Sequence, residues 1–155
     1  MLQNEKFMKK ALALAKKAYD SDEVPVGALI VKEGKIISSA YNKRETSKDA
    51  TAHAEILAIK KACKVLQDFR LVDCEMYVTL EPCLMCMGAI LNSRIKTLYF
   101  GASNNKENAL KMNEVVERAE LNHKTEVVGG ILEQECSLLV SKYFKEKRQN
   151  KTQKS

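Results

Sequence analysis

The chain has 155 residues, 45% of them hydrophobic and 30% charged, with six Gly and two Pro. That length and balance fit one globular domain and exclude a collagenous, proline-rich or wholly disordered chain. The formal net charge of +6 is concentrated at the ends, with +4 in residues 1–19, +5 in residues 141–155 and −3 between them.

In chain order, Phe7, Ala11, Leu14, Ala15 and Ala18 recur at helical spacing, with lysines on the opposite face. They predict an amphipathic helix over Asn4 to Tyr19. Val26 to Val31 and Lys35 to Tyr41 flank the turn signal Glu33-Gly34 and predict a β-hairpin. Asn42 to Ala50 reads as a polar loop. Thr51 is the expected N-cap of a helix to Leu66, with Ala52, Ile56, Ile59, Cys63 and Leu66 on its buried face. Glu75 to Thr79 reads as a strand, Pro82 as the first residue of a helix to Asn92, and Ile95 to Phe100 as another strand. A polar loop follows from Gly101 to Asn108, and Leu110 to Leu121 has weak helical character. Thr125 to Val128 is extended, and a final helix runs from Leu132 to Lys147. Strand–helix–strand crossovers beside a hairpin imply a mixed sheet with helices on both faces.

Two basic ends on an acidic body suit an anionic partner such as nucleic acid. No apolar run approaches the ~18 residues of a membrane span. Lys16 and Lys17 interrupt the Ala-Leu-Ala-Leu-Ala run too early for a secretory leader. The expectation is a cytoplasmic protein with no membrane partner. Five cysteines, an odd number, argue for metal binding or catalysis over a disulfide framework.

Chemistry concentrates in Thr51-Ala52-His53-Ala54-Glu55 and Glu81-Pro82-Cys83-Leu84-Met85-Cys86, each at a predicted helix start. Free N–H groups and the helix dipole favour thiolates there. Cys83 and Cys86, three residues apart, share a helix face, and His53 adds a third ligand from another helix. A structural zinc takes four protein ligands, whereas a catalytic zinc keeps a position for water. One His and two Cys therefore indicate an open catalytic zinc site. Glu55, near the metal without being a ligand, is the expected acid–base group. H-x-E with P-C-x-x-C is the known signature of zinc-dependent nucleobase deaminases. Its chemistry is hydrolytic: water attacks the amine-bearing ring carbon while the carboxylate moves protons and ammonia leaves. A thioredoxin-like redox pair fits less well, because Leu84 and Met85 separate the cysteines after Glu-Pro. Met85 and Met87 are read as packing around the site or a subunit contact, and Cys63 and Cys136 as buried thiols.

The sequence resembles the bacterial tRNA-specific adenosine deaminases, within the cytidine deaminase superfamily, over residues 4–148. The resemblance rests on Glu-Val-Pro-Val-Gly-Ala at 23–28, Ala-His-Ala-Glu-Ile-Leu-Ala-Ile at 52–59 and Thr-Leu-Glu-Pro-Cys-Leu-Met-Cys-Met-Gly-Ala-Ile at 79–90. Tyr-Phe-Gly-Ala at 99–102, Leu-Asn-His at 121–123 and the Tyr-Phe-Lys-Glu-Lys-Arg end add to it. It implies an α/β, cytidine-deaminase-like three-layer α/β/α fold with a mixed five-stranded sheet. It also implies a single zinc-dependent deaminase domain over residues 1–148, followed by a basic polar tail at 149–155. The implied reaction is deamination of adenosine to inosine at the wobble position of a tRNA anticodon, typically an arginine tRNA. The implied state is a homodimer with one catalytic zinc ion per subunit.

By position, His53, Cys83 and Cys86 would hold the zinc and Glu55 would shuttle protons. Asn42 would hold the flipped base, with Val26 and Ala54 as pocket walls. Phe144, Lys147 and Arg148 on the final helix, with Asn104 and Lys106, would contact the anticodon stem-loop. On local pattern alone Asn42 is more readily a turn former than a base contact, and at least one of Tyr143 and Phe144 packs on the sheet. Asn104 and Asn108 stand where the family pattern has aspartate and glycine, which predicts weaker discrimination between RNA and DNA. Two other functions compete. A deaminase of free guanine, cytosine or a nucleotide shares the zinc chemistry but needs no basic ends. A zinc-stabilised RNA-binding subunit leaves Glu55 without a purpose.

Overall fold

A computed structural model describes residues 2–104, 114 and 123–154. Apart from Glu114, the predicted segment Leu110 to Leu121 lies outside the described residues, as do the predicted RNA contact Lys106 and Asn108.

Helix α1 (Gln3–Asp20) buries Phe7, Met8, Ala11, Leu12, Ala15 and Ala18, so Met8 and Leu12 join the predicted stripe and Leu14 sits at its margin. Strands β1 (Gly27–Lys32) and β2 (Lys35–Tyr41) form the predicted hairpin. Glu33 and Gly34 both adopt positive φ, at 51° and 76°, as the favoured two-residue hairpin turn requires. The predicted loop after β2 contains one helical turn, α2 (Arg44–Ser47). Helix α3 (Ala54–Leu66) follows, then β3 (Cys74–Leu80), α4 (Leu84–Asn92) and β4 (Thr97–Ala102). The chain ends with β5 (Glu126–Val128) and α5 (Glu133–Lys154).

The sheet order is β2-β1-β3-β4-β5. The β1–β2 and β1–β3 pairs are antiparallel, while β3–β4 and β4–β5 are parallel. This is the mixed five-stranded sheet expected. Alternation along the strands feeds two cores. Ala28, Ile30, Met76, Val78, Leu98 and Phe100 face α3 and α4. Leu29, Val31, Tyr77 and Ala102 face α1 and α5. Each large side chain buried this way contributes roughly 1.5–3 kcal/mol.

Several details differ from the sequence reading. Thr51 is not the cap of α3; its N–H and hydroxyl both bond Asp49 Oδ1, and His53 takes the N-cap position. The buried face of α3 is Ala54, Glu55, Ala58 and Ala62, with the larger Ile59, Cys63 and Leu66 at its margin. Small residues let the helix lie close to the sheet. Pro82 precedes α4 instead of opening it, which leaves Cys83 at the N-cap position. Strand β4 runs through Gly101, which the sequence reads as the first residue of a polar loop. A Cβ there would stand 2.8 Å from Thr79 O and would collide with Cys136 of α5. Beyond Lys147, α5 continues to Lys154 because no Gly or Pro stops it.

Candidate active site

The two motif segments meet where α3 and α4 begin. His53 and Cys83 occupy the two N-cap positions, and Cys86 lies in the first turn of α4. His53 Nδ1 is 3.7 Å from Cys83 Sγ and 3.5 Å from Cys86 Sγ. All three ligand atoms lie within 4.8 Å of one another. Among the described residues this is the one group of three or more His, Cys, Asp or Glu side chains so arranged. An imidazole and two thiols at this spacing suit zinc, and among the described residues no fourth donor side chain joins them, which fits a site that keeps one coordination position for water.

The two thiols are electrostatically unlike. A hydrogen bond from Cys86, supported by the Cys86 N–H and by His53, pulls Cys83 down to about 5 against the effect of burial. Cys86 is pushed far up by the same bond to Cys83, by burial and by the nearby Glu55. Glu55 is buried, and its carboxyl contacts Cys86. Burial holds that carboxyl above the ordinary range, overcoming its own backbone N–H and His53.

A cavity of about 520 Å³ opens over these groups. Of the sequence-predicted residues, Val26, Asn42, His53, Ala54, Glu55, Cys83, Asn104 and Phe144 line it. Asn42 serves as a turn former as well as a wall. Its Oδ1 accepts the Arg44 N–H at 3.2 Å, and its Nδ2 donates to Val24 O at 3.2 Å. Each of those atoms retains capacity for one more bond. Asn104 is fixed through its backbone, which donates to Glu81 Oε1 at 3.0 Å.

The rest are placed otherwise. Lys147 lines a neighbouring cavity and forms an ion pair with Asp22 at 2.7 Å. Arg148 is exposed and lines neither cavity. Cys74 is buried, with its thiol donating to Val72 O. Met87 is buried and Met85 exposed. Arg44, Glu81, Ser137, Val140 and Ser141 also line the catalytic cavity and were not singled out by sequence. Ser137, Val140 and Ser141 show the helical spacing of one α5 face, a signal visible only once the packing of α5 is known.

Residues 1–102 match the family described as the cytidine and deoxycytidylate deaminase zinc-binding region. A tRNA-specific adenosine deaminase of Bacillus subtilis is 46% identical over 97% of this chain and 94% of its own length. A structure from a study of A-to-I editing by tRNA:A34 deaminases at the wobble position is 37% identical, covering 86% of this chain and 98% of that one, with a TM-score of 0.80. A guanine deaminase from Nitrosomonas europaea shares the fold at 25% identity and a TM-score of 0.79, over 90% of this chain and 83% of that one. With the zinc motif assembled in three dimensions and near-full-length similarity on both sides, the chain belongs to the family of tRNA-specific adenosine deaminases, among the zinc-binding deaminases.

Proposed function

We propose that this protein hydrolyses adenosine to inosine at the wobble position of a tRNA anticodon, in particular that of an arginine tRNA. The observation that carries the reading is a buried carboxyl, Glu55, beside a three-donor cluster at the base of a cavity large enough for a nucleobase. His53, Cys83 and Cys86 would hold one zinc per subunit. When bound, zinc acts as a Lewis acid that brings the pKa of water from 15.7 to about 7.

Glu55 carries protons. Burial keeps its carboxyl protonated to higher pH than usual, which suits a group that must accept a proton and then return it. It takes one proton from the attacking water and gives it to the ring nitrogen, then takes the second from the hydroxyl so added to the ring carbon and gives it to the amine, which leaves as ammonia. Asn42 offers the base its remaining N–H and lone pair, between the walls Val26 and Ala54. Phe144, 40% exposed on the cavity wall, offers a stacking face, and Asn104, Lys106, Lys147 and Arg148 are the proposed contacts of the stem-loop. Two basic ends give the charge such a substrate needs. Leu84 and Met85, exposed apolar residues between the ligand cysteines, support a homodimer. Among the described residues no helix is long and apolar enough to cross a membrane, and a cytoplasmic location fits a tRNA substrate.

The test is incubation of zinc-loaded protein with an unmodified arginine tRNA carrying an ACG anticodon, followed by reverse transcription. Expected is A read as G at the wobble base, lost in Glu55→Gln by a factor of roughly 10² to 10⁴ in rate. Ammonia release from free guanine or cytidine with no conversion of tRNA would overturn the reading in favour of a small-molecule deaminase.

A further inference from the structure

Glu23 takes no part in the chemistry above, yet it is a carboxylate with 0% exposure. Each of its oxygens accepts a backbone N–H, Oε1 from Glu45 at 2.9 Å and Oε2 from Thr46 at 2.6 Å. Both donors belong to the first turn of α2, whose N-cap residue, Lys43, makes no side-chain capping bond. Glu23 thus does from a distant part of the chain what a capping side chain does locally. The adjacent Val24 carbonyl accepts from Asn42 Nδ2, and Asn42 Oδ1 accepts from Arg44 N–H. Burial alone would raise the Glu23 carboxyl. The Thr46 and Glu45 N–H groups, the Thr46 hydroxyl and the Arg44 charge outweigh it and hold the group below its ordinary value.

No residue of α2 is buried, so apolar packing does not anchor this turn. Arg44 and Asn42 nonetheless line the catalytic cavity. Their placement therefore depends on polar contacts, and the charge-assisted bonds to Glu23 are the strongest kind available. We propose that Glu23 is a positioning residue for the deamination: by clamping α2 it sets where Asn42 and Arg44 stand on the cavity wall. This rests on the reading of that cavity as the nucleobase site.

Glu23→Gln is the test, because the amide keeps the shape but turns an NH₂ toward one of the two donors. In the zinc-loaded full chain, kcat on the tRNA stem-loop should fall roughly 10- to 100-fold, the scale of a small misplacement of a reacting group. Zinc content should stay at the wild-type level. Amide exchange at Glu45 and Thr46 should accelerate while the strands keep their protection. Combined with Asn42→Ala, Glu23→Gln should add less than its loss alone, since part of its effect runs through Asn42. Wild-type kcat, losses that multiply in the double variant, or unchanged exchange at Glu45 and Thr46 would each overturn the proposal. Should Glu23→Gln not fold, Thr46→Pro at the exposed end of the clamp removes one donor and should lower kcat likewise; full kcat there also overturns it. If the wild-type protein itself leaves tRNA unconverted, the functional reading fails, while the exchange measurement still decides whether Glu23 holds the turn.

Discussion

Replacing Gly101 with alanine probes how the seat of α5 on β4 shapes the catalytic cavity. The new Cβ would stand 2.8 Å from Thr79 O and 2.9 Å from Cys136 Cβ, and closer still to Cys136 Sγ. Ordinary carbon contacts lie at about 3.5–4.0 Å, so α5 must retreat by at least about 0.6 Å. Thr79 O belongs to β3 and cannot yield without disturbing the sheet. Overpacking of this kind costs about 1–3 kcal/mol. For a domain of this size each kcal/mol lowers the melting midpoint by about 2–4 °C, so a fall of roughly 2–12 °C is expected by calorimetry. The same retreat shifts Ser137, Val140, Ser141 and Phe144, all on the cavity wall. Activity on the stem-loop should therefore fall at temperatures where the variant is still folded. Trimming Cys136 to alanine removes the sulfur and should recover part of both losses in the double variant. An unchanged midpoint for Gly101→Ala, or a double variant no better than the single one, would refute this account of the close approach.

Three further outcomes are expected. His53→Ala, Cys83→Ser or Cys86→Ser should each lower bound zinc below one equivalent by metal analysis, and chelation of the wild type should lower its melting midpoint, because a bound metal stabilises only the folded chain. Asn104→Asp, tested on matched RNA and DNA stem-loops, should raise the RNA-to-DNA rate ratio; an unchanged ratio would remove Asn104 from substrate selection. Glu23 has a depressed folded-state pKa, so its contribution to stability is complete above the unfolded value of about 4.3 and is lost as pH falls through the folded one. Urea midpoints for Glu23→Gln should consequently show a shallower acid decline than the wild type, and parallel curves would contradict the ionised clamp.

The donor cluster was legible in the sequence because its signals are local. Cys83 and Cys86 are one helical turn apart, and Glu55 is tied to His53 by two residues of chain. The hairpin and the alternating order of strands and helices were legible for the same reason. What escaped depends on contacts between distant segments. The helical turn at Arg44–Ser47 reads as loop because its cap, Glu23, lies more than twenty residues earlier. Gly101 reads as the start of a loop because the helix that demands its missing side chain comes thirty-five residues later. The buried face of α3 was assigned to its largest apolar residues, whereas close packing on the sheet selects Ala54, Ala58 and Ala62. Asn42 was open between turn former and base contact, and the structure gives it the turn bonds while placing it on the cavity wall.

The sheet explains why such scattered residues converge. β1 is antiparallel to both β2 and β3, so β2, β3, β4 and β5 all run the same way and their carboxyl ends lie along one edge. Ligand sites in open α/β sheets form at that edge. Asn42 follows β2, Glu81 and Cys83 follow β3, and Ser103 and Asn104 follow β4. Val26 enters from the start of β1, which its opposite direction brings to the same edge. α4 begins at that edge because it departs from β3, and the approach of His53 to both thiols places the start of α3 beside it. The donors therefore sit at two helix N-termini whose dipoles favour thiolate, with the buried Glu55 in the first turn of α3. A shift of strand register at β3–β4 would thus move Glu81 and Asn104 apart before it reached the metal ligands. For that reason the Asn104 N–H bond to Glu81, at 3.0 Å, ties the rim of the site to the alignment of its two central strands.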